Sequence, residues 1–171
     1  MSTRTANFIE HGLWRIDRSR STIAFRVRHF GVATVRGHFE SFACRLEADD
    51  ERLRVEGHVD VGSVDTGHGI RDARLRSEFF DVEQHPAISL RASAGADDRR
   101  LVGELTIRGV TRPIDLALTV DVDRDGTVRL RGDGSIRRSD FGLEWDALRQ
   151  AGRLLVADEV RLRADVVFAR A

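Results

Sequence analysis

The 171-residue sequence predicts an all-β fold, an antiparallel barrel or sandwich with one short helix inserted between strands. Apolar and polar residues alternate with period two along most of the chain, as in strands that have one buried and one solvated face. Short polar segments of turn-forming residues separate these runs. A single stretch, residues 70–80, breaks the alternation.

The strands can be assigned from the alternating segments. Four long segments show the pattern most clearly: 53–61, 114–122, 128–136 and 160–168. Five shorter segments show it as well: 23–27, 35–39, 42–46, 88–92 and 101–107. Hairpin-type loops are predicted at 49–50, 95–98 and 123–126. Around Glu40–Ser41 the buried parity slips by one residue, which predicts a bulge or a corner there.

The inserted helix is predicted between about Ile70 and Ser77. Ile70, Ala73 and Phe80 fall near helical spacing, which indicates a helix and not a strand. Asp72 and Arg76 stand four residues apart in the order that favours an ion pair along a helix. We therefore expect a helix whose charged side faces solvent.

Several inward positions of the strands carry small residues, which bear on whether the barrel is hollow or filled. They are Gly57, Gly103, Gly132, Gly134 and Ala164. A solid core would place branched side chains there, whereas small residues leave room for one ligand. The glycines could equally relieve barrel curvature or form bulges. The sequence leaves both interpretations open.

Composition limits the classes of function. Hydrophobic residues make up 41% and charged residues 33%, and the length suits one domain, residues 1–171, with 1–12 as a flexible extension. The net charge of +0 gives no overall basic field for nucleic acid. All basic residues are arginine, which excludes a lysine Schiff base, and a lone Cys44 allows no internal disulfide. We find neither a membrane-span pattern nor a signal-peptide pattern, and we expect a cytoplasmic protein.

The segment from Ser63 to Pro86 is the richest in potential metal ligands. His68 and Asp72 are four residues apart and could meet one ion on a helix. Glycines flank His68, however, and His85 precedes a proline, so that no third ligand is indicated. We predict no tightly bound metal, and we interpret the segment as a solvated helix face.

The sequence offers little support for nucleophilic or acid–base catalysis. The sequence has no G-x-S-x-G elbow, and no histidine is indicated beside Cys44. His29 shares the inward parity and could bond a ligand head group, whereas His38 is expected to face outward. Asp140, Glu144 and Asp146 could form an acid–base cluster, but solvated loop acids are the more ordinary interpretation.

Five segments, taken in order, carry a family resemblance. They read WRIDRSRSTIAFRVRHFGVATVRGHFESF, SVDTGHGIRDARLRSEFFDVEQHPAISL, LTIRGVTRPIDLALTV, SIRRSDFGL and DEVRLRADVVFARA. From about Trp14 to Phe168 the chain resembles the YceI family of small lipocalin-like barrels. The resemblance implies non-enzymatic binding of a long apolar lipid, such as a polyisoprenoid, an isoprenoid quinone or another amphiphile, without a cofactor. It also implies that residues 63–86 form a lid over the barrel.

We expect the lipid to contact residues of inward strand parity, the lid and the segment after the predicted strand at 128–136. These residues are Phe25, Val27, His29, Phe79, Phe80, Leu105, Leu118, Val120, Leu130, Ile136, Phe141, Trp145, Leu162 and Val166. Two other functions stay open: an enzyme acting on a hydrophobic substrate held in the barrel, and an interaction module that uses an exposed strand edge. The oligomeric state, a homodimer included, is also open.

Overall fold

The structure, a computed structural model, describes residues 9–29, 33–144 and 156–171. It confirms the antiparallel barrel with one inserted helix. The strands are β1 (Gly12–His29), β2 (Ala33–Phe39), β3 (Phe42–Ala48), β4 (Arg52–Asp60), β5 (Val64–Asp65), β6 (Ala87–Gly95), β7 (Arg100–Ile107), β8 (Val110–Val122), β9 (Val128–Arg137) and β10 (Val156–Arg170).

Eight strands close the barrel in the order β10-β9-β8-β7-β6-β4-β3-β1, and β1 pairs again with β10. Every pairing among these described strands is antiparallel, and closure joins the two ends of the sheet into a ring. β2 and β3 follow one another along the same edge of β1, β2 on its second half and β3 on its first half, so β2 continues the barrel wall toward the open end. The two-residue β5 pairs with the end of β2.

The chain between β2 and β3 turns a corner at the predicted position. β2 ends at Phe39 and β3 begins at Phe42, so Glu40 and Ser41 form the interruption. The backbone N–H of Glu40 donates to the Ser63 carbonyl at 3.2 Å, and the N–H of Ser41 donates to the Ser63 hydroxyl at 3.0 Å. The corner is therefore fixed to the segment that leads to the helix.

β1 is much longer than the predicted strand at 23–27. Trp14 is buried, but the pairing with β10 shifts register between Asp17 and Thr22, where the Ser21 hydroxyl accepts from the Val167 N–H at 2.9 Å. This bulge breaks the parity that a sequence pattern relies on. Ile9 is also buried, so the described part of the expected N-terminal extension lies against the barrel.

The two ends of the barrel differ in their connections. The β3–β4, β6–β7 and β8–β9 turns share one end with the start of β1, and we call it the closed end. The other end, which we call the open end, carries residues 61–86, the β7–β8 turn and the segment after β9. The largest fully buried side chains at the closed end are Leu46, Val128, Val167 and Phe168.

The helix lies in the long connection at the open end. α1 (Gly69–Arg74) continues directly into a π-helical turn (Leu75–Phe79), and together they form the lid. His68 caps the start, because its Nδ1 accepts the backbone N–H of Arg71 at 3.2 Å. The predicted helix at about 70–77 is confirmed within the usual boundary error.

Candidate functional site: an apolar cavity beneath the lid

The barrel contains an apolar cavity of about 300 Å³ between the lid and the closed-end core. Residues from all eight ring strands, together with β2 and the lid, contribute to its wall. The wall is almost wholly hydrocarbon, as in barrels that hold one small ligand. Further grooves lie on the outer face of the barrel between charged side chains.

Most of the residues expected to contact a lipid line this cavity. They are Phe25, Val27, Phe79, Phe80, Leu105, Leu118, Leu130, Ile136, Leu162 and Val166. Their contact with a lipid stays a prediction.

Four of the expected residues are not found in the cavity wall. Val120 and Phe141 are buried in the hydrophobic core and do not line the cavity. Val120 lies near the β8–β9 turn at the closed end, and Phe141 ends a short 3₁₀ turn after β9. Trp145 and the side chain of His29 lie outside the described residues.

One face of the lid is turned toward the cavity. Arg71, Leu75 and Phe79, each four residues apart, line the cavity, whereas Ile70 is 69% exposed on the opposite side. The continuation into a π-helical turn keeps this spacing of four on one face. Phe79 and Phe80 both reach the cavity, and their rings meet edge to face with centroids 5.0 Å apart. Both rings thus have the orientation expected of a lid over the barrel.

Polar contacts fix the first turn of the lid. The buried Asp72 carboxylate accepts the backbone N–H of Thr66 at 3.0 Å and also its hydroxyl. Arg71 donates through Nε to the Thr66 hydroxyl at 2.7 Å and through Nη2 to the Thr66 carbonyl at 2.8 Å. Asp72 is thus engaged with Thr66 and not with Arg76 as predicted, and the segment is a tethered lid that contains a buried carboxylate.

Arg138 is a buried cation beside the cavity that sequence reasoning missed. It is 5% exposed, and its guanidinium donates to the carbonyls of Leu143 at 3.0 Å, Val156 at 3.0 Å and Ala157 at 3.1 Å. These bonds join the end of β9 to the start of β10, so the residue holds the rim of the open end together. The residues on either side of it in sequence are exposed, and no local pattern marks it.

Of the two interpretations of the inward glycines, the structure favours curvature over open space at Gly103 and Gly134. A Cβ on Gly134 would stand 2.5 Å from Leu116 Cδ2, and one on Gly103 would collide with the Arg91 carbonyl. These glycines permit close approach of neighbouring strands, which is the curvature interpretation. At Gly132, which lines the cavity, a Cβ would stand 3.3 Å from Leu116 Cδ1, closer than an ordinary van der Waals contact.

Additional wall residues follow from the same alternation. Ile23, Val35, Phe39, Val55, Val160 and Ala164 reach the cavity as well. Cys44 lines it too, and burial raises the pKa of its thiol to about 12. The thiol therefore stays protonated and behaves as a small apolar group.

The potential catalytic and metal-binding residues lie outside the cavity. Asp140 and Glu144 are exposed, and Asp146 lies outside the described residues. His38 faces outward as predicted, and its Nε2 is 3.9 Å from Glu40, with Asp65 nearby on β5. His38 and Glu40 are both exposed. The absence of a bound metal stays a prediction.

None of the helices in the described ranges combines the length and the apolar character that crossing a bilayer requires.

Comparisons with known proteins agree with the fold. The model of a family described as YceI-like domain matches residues 14–168. A UPF0312 protein of Pectobacterium atrosepticum is 32% identical over 136 residues, covering 72% of this chain and 71% of the relative.

Solved structures are similar at lower identity. Burkholderia cenocepacia BcnA has a TM-score of 0.79 at 22% identity, over 89% of this chain and 98% of that one. A polyisoprenoid binding domain from Saccharophagus degradans has a TM-score of 0.79 at 15% identity, over 92% of this chain and 98% of that one.

Proposed function

Because the chain belongs to the YceI family, we propose that it binds one long apolar lipid inside the open end of the barrel and carries or sequesters it. The ligand class we favour is a polyisoprenoid chain, an isoprenoid quinone included. The role is binding without catalysis. We place it in the cytoplasm on the sequence pattern alone.

The state of the cavity wall carries this proposal. Phe25, Val27 and Leu162 point inward from neighbouring strands but are only partly buried, because no protein atoms of the described residues fill the space in front of them. Close packing is the rule in protein interiors, and a wall of unfilled apolar groups is typical of a ligand site. Each CH₂ of a ligand buried there contributes roughly 0.8 kcal/mol relative to water.

The polar groups near the cavity support binding over catalysis. The Arg138 guanidinium donates hydrogen bonds to three backbone carbonyls, and Arg71 donates two to Thr66. Cys44 holds its proton because burial raises the pKa of its thiol to about 12, so it is a poor nucleophile. An apolar wall of this kind recognises chain length and shape more than one chemical group.

The polyisoprenoid class is supported by the structural neighbour from Saccharophagus degradans, whose name states that ligand. A branched, unsaturated chain also suits a wall that mixes two lid phenylalanines with branched aliphatic side chains. A straight saturated acyl chain is the natural competitor for the same space.

Lipid extraction tests the proposal. The protein is purified without detergent, extracted with organic solvent, and the extract is identified by mass spectrometry. Delipidated protein is then offered a long polyprenol, an isoprenoid quinone and a saturated fatty acid separately. We expect one isoprenoid lipid per chain and preferential uptake of the isoprenoids. An empty protein that takes up none of the three contradicts the proposal, and preferential uptake of the fatty acid contradicts the ligand class.

A further inference from the structure

Three arginines from three adjacent strands stand in one row on the outer face of the barrel. Arg26 on β1 lies directly opposite Arg36 on β2 in the strand register, and it lies directly opposite Arg161 on β10 on its other side. Directly opposed residues of antiparallel strands project from the same face. All three side chains are exposed, and we call them the arginine row.

The arginine row departs from the pattern of the rest of the outer face. On most of the remaining outer face arginines meet carboxylates across strands, as in Arg45 with Glu56 at 2.8 Å and Arg100 with Asp115 at 2.8 Å, although Arg15 also lies opposite Arg45. Across the described ranges, Arg26 and Arg36 have no ion-pair partner. Like charges placed directly opposite each other destabilise a sheet, so the row lowers the stability of the fold.

The surroundings keep the row positive. Arg28 is exposed two residues further along β1, and Arg163 stands two residues beyond Arg161. Two nearby carboxylates are already engaged with arginines: Glu159, whose Oε1 is 3.3 Å from Arg161, and Asp133, which is 2.8 Å from Arg163. Since the whole chain has a formal net charge of +0, this basic surface is a local field on a neutral protein.

The row lies on the outside of the cavity wall. Phe25 and Val27, which flank Arg26 in sequence, point into the cavity, and so does Leu162 next to Arg161. The row is three residues from the end of β1, close to the open end that the lid covers. Three neighbouring strands span roughly 10 Å, the scale of a few lipid head groups.

We propose that the arginine row docks the barrel on an anionic bilayer surface, with the open end toward the membrane. The proposal rests on the function proposed above, because a bilayer is where a long apolar lipid is collected or delivered. Phospholipid phosphates supply the negative charge that the row lacks, and Arg is well suited to bind them. The exposed Ile70 on the outer side of the lid adds an apolar contact at the same end.

Charge reversal at the centre of the row tests this directly. The substitution Arg26→Glu should weaken binding to phosphatidylglycerol-containing vesicles about 30-fold at low salt, because the basic surface loses its central charge and gains an opposite one. The matched control is Arg91→Glu, which makes the same charge change on β6, on the far side of the barrel. It should change vesicle binding less than about threefold.

Thermal unfolding of the same two variants separates docking from a structural role. The carboxylate introduced by Arg26→Glu would stand between Arg36 and Arg161, so this protein should melt about 1–4 °C higher than wild type while binding vesicles less. Arg91→Glu should melt at or below the wild-type temperature, because it loses the 3.7 Å contact of Arg91 with Glu56.

Several outcomes overturn the proposal. They are no binding of wild type to anionic vesicles, equal binding to neutral phosphatidylcholine vesicles, unchanged binding of Arg26→Glu, or binding to labelled duplex DNA in preference to vesicles. Lipid content is extracted from every sample. If wild type and Arg26→Glu hold equal cavity lipid and neither binds vesicles, docking has failed while the proposed ligand site stands. If Arg26→Glu weakens vesicle binding but no sample holds cavity lipid, the proposed lipid-binding function has failed. The arginine row would then bind membranes for a different function.

Discussion

The closed and open ends of the barrel are built from the same strands and the same kinds of residue, yet only one of them is filled. At the closed end Leu46, Val128 and Phe168 are fully buried in the core. At the open end Phe25, Val27 and Leu162 point inward with equal regularity but stay partly uncovered. Alternation along a strand therefore specifies which side faces inward, and it does not specify whether that side is packed.

The difference between the two ends shows how a small barrel can be stable and still bind a ligand. Complete packing at the closed end supplies burial energy, and roughly 25 cal/mol per Å² of apolar surface makes that end the main source of stability. The apolar wall of the cavity at the open end stays unburied until a ligand covers it. Its shape is maintained by polar ties instead, namely Asp72 with Thr66 in the lid and Arg138 at the rim.

The largest expected effect compares phenylalanines at the two ends. We expect Phe168→Ala to lower the free energy of unfolding by about 3–5 kcal/mol, because the ring is fully buried in a packed core and the substitution leaves a void. The matched Phe25→Ala should cost only about 1–2 kcal/mol, since its ring is partly exposed toward existing space. Urea unfolding of delipidated proteins measures both, and equal losses would remove the distinction between the ends.

A smaller effect is expected at the glycines. Gly134→Ala should cost about 1–3 kcal/mol, because its Cβ would stand 2.5 Å from Leu116 Cδ2 and 3.2 Å from the Asp115 carbonyl. Gly132→Ala should cost less than about 1 kcal/mol, since its Cβ would stand 3.3 Å from the movable tip of Leu116. Thermal unfolding of the pair checks the order. A larger loss of stability for Gly132→Ala than for Gly134→Ala would mean that Gly134 borders open space instead.

The smallest effect concerns the cavity thiol. Folding raises the Cys44 pKa from its ordinary 9.0 to about 12, so between these values the folded state keeps a proton that the unfolded chain has lost. Stability should therefore fall as the pH rises above about 9, by at most about 1.4 kcal/mol per pH unit. Urea unfolding at pH 8 and pH 10 measures the slope. A Cys44→Ala protein should show a shallower slope, and identical slopes would mean that the thiol is not desolvated by the wall.

The sequence was sufficient for the ring of strands and for most of the inward residues, because period two survives wherever the pairing is regular. It failed at β1, where the bulge between Asp17 and Thr22 interrupts the parity and hides the first half of an 18-residue strand. The lid face could not be derived from hydrophobicity either, since Ile70 is apolar but exposed while Arg71 lines the cavity.

The remaining misses depend on contacts between distant parts of the chain. Arg138 is buried because carbonyls from residues 143, 156 and 157 converge on it. The sequence around Arg138 contains no pattern that predicts this burial. Gly134 is needed because Leu116 on the neighbouring strand β8 comes close, and the local sequence does not show that contact. Val120 and Phe141 have the expected apolar character, but whether a buried position meets the core or the cavity depends on its height in the barrel.

The central claim is that the open end is a lipid site, and filling it tests the claim most directly. Val160 lines the cavity on β10, whereas Val102 is exposed on the outer face of β7, so Val160→Trp and Val102→Trp are a matched pair. Native mass spectrometry of both proteins and wild type, purified without detergent, measures the lipid that stays bound. We expect a lipid adduct on wild type and on Val102→Trp, and its loss from a folded Val160→Trp protein. An undiminished adduct on Val160→Trp would contradict it, because the lipid would then lie somewhere other than beneath the lid.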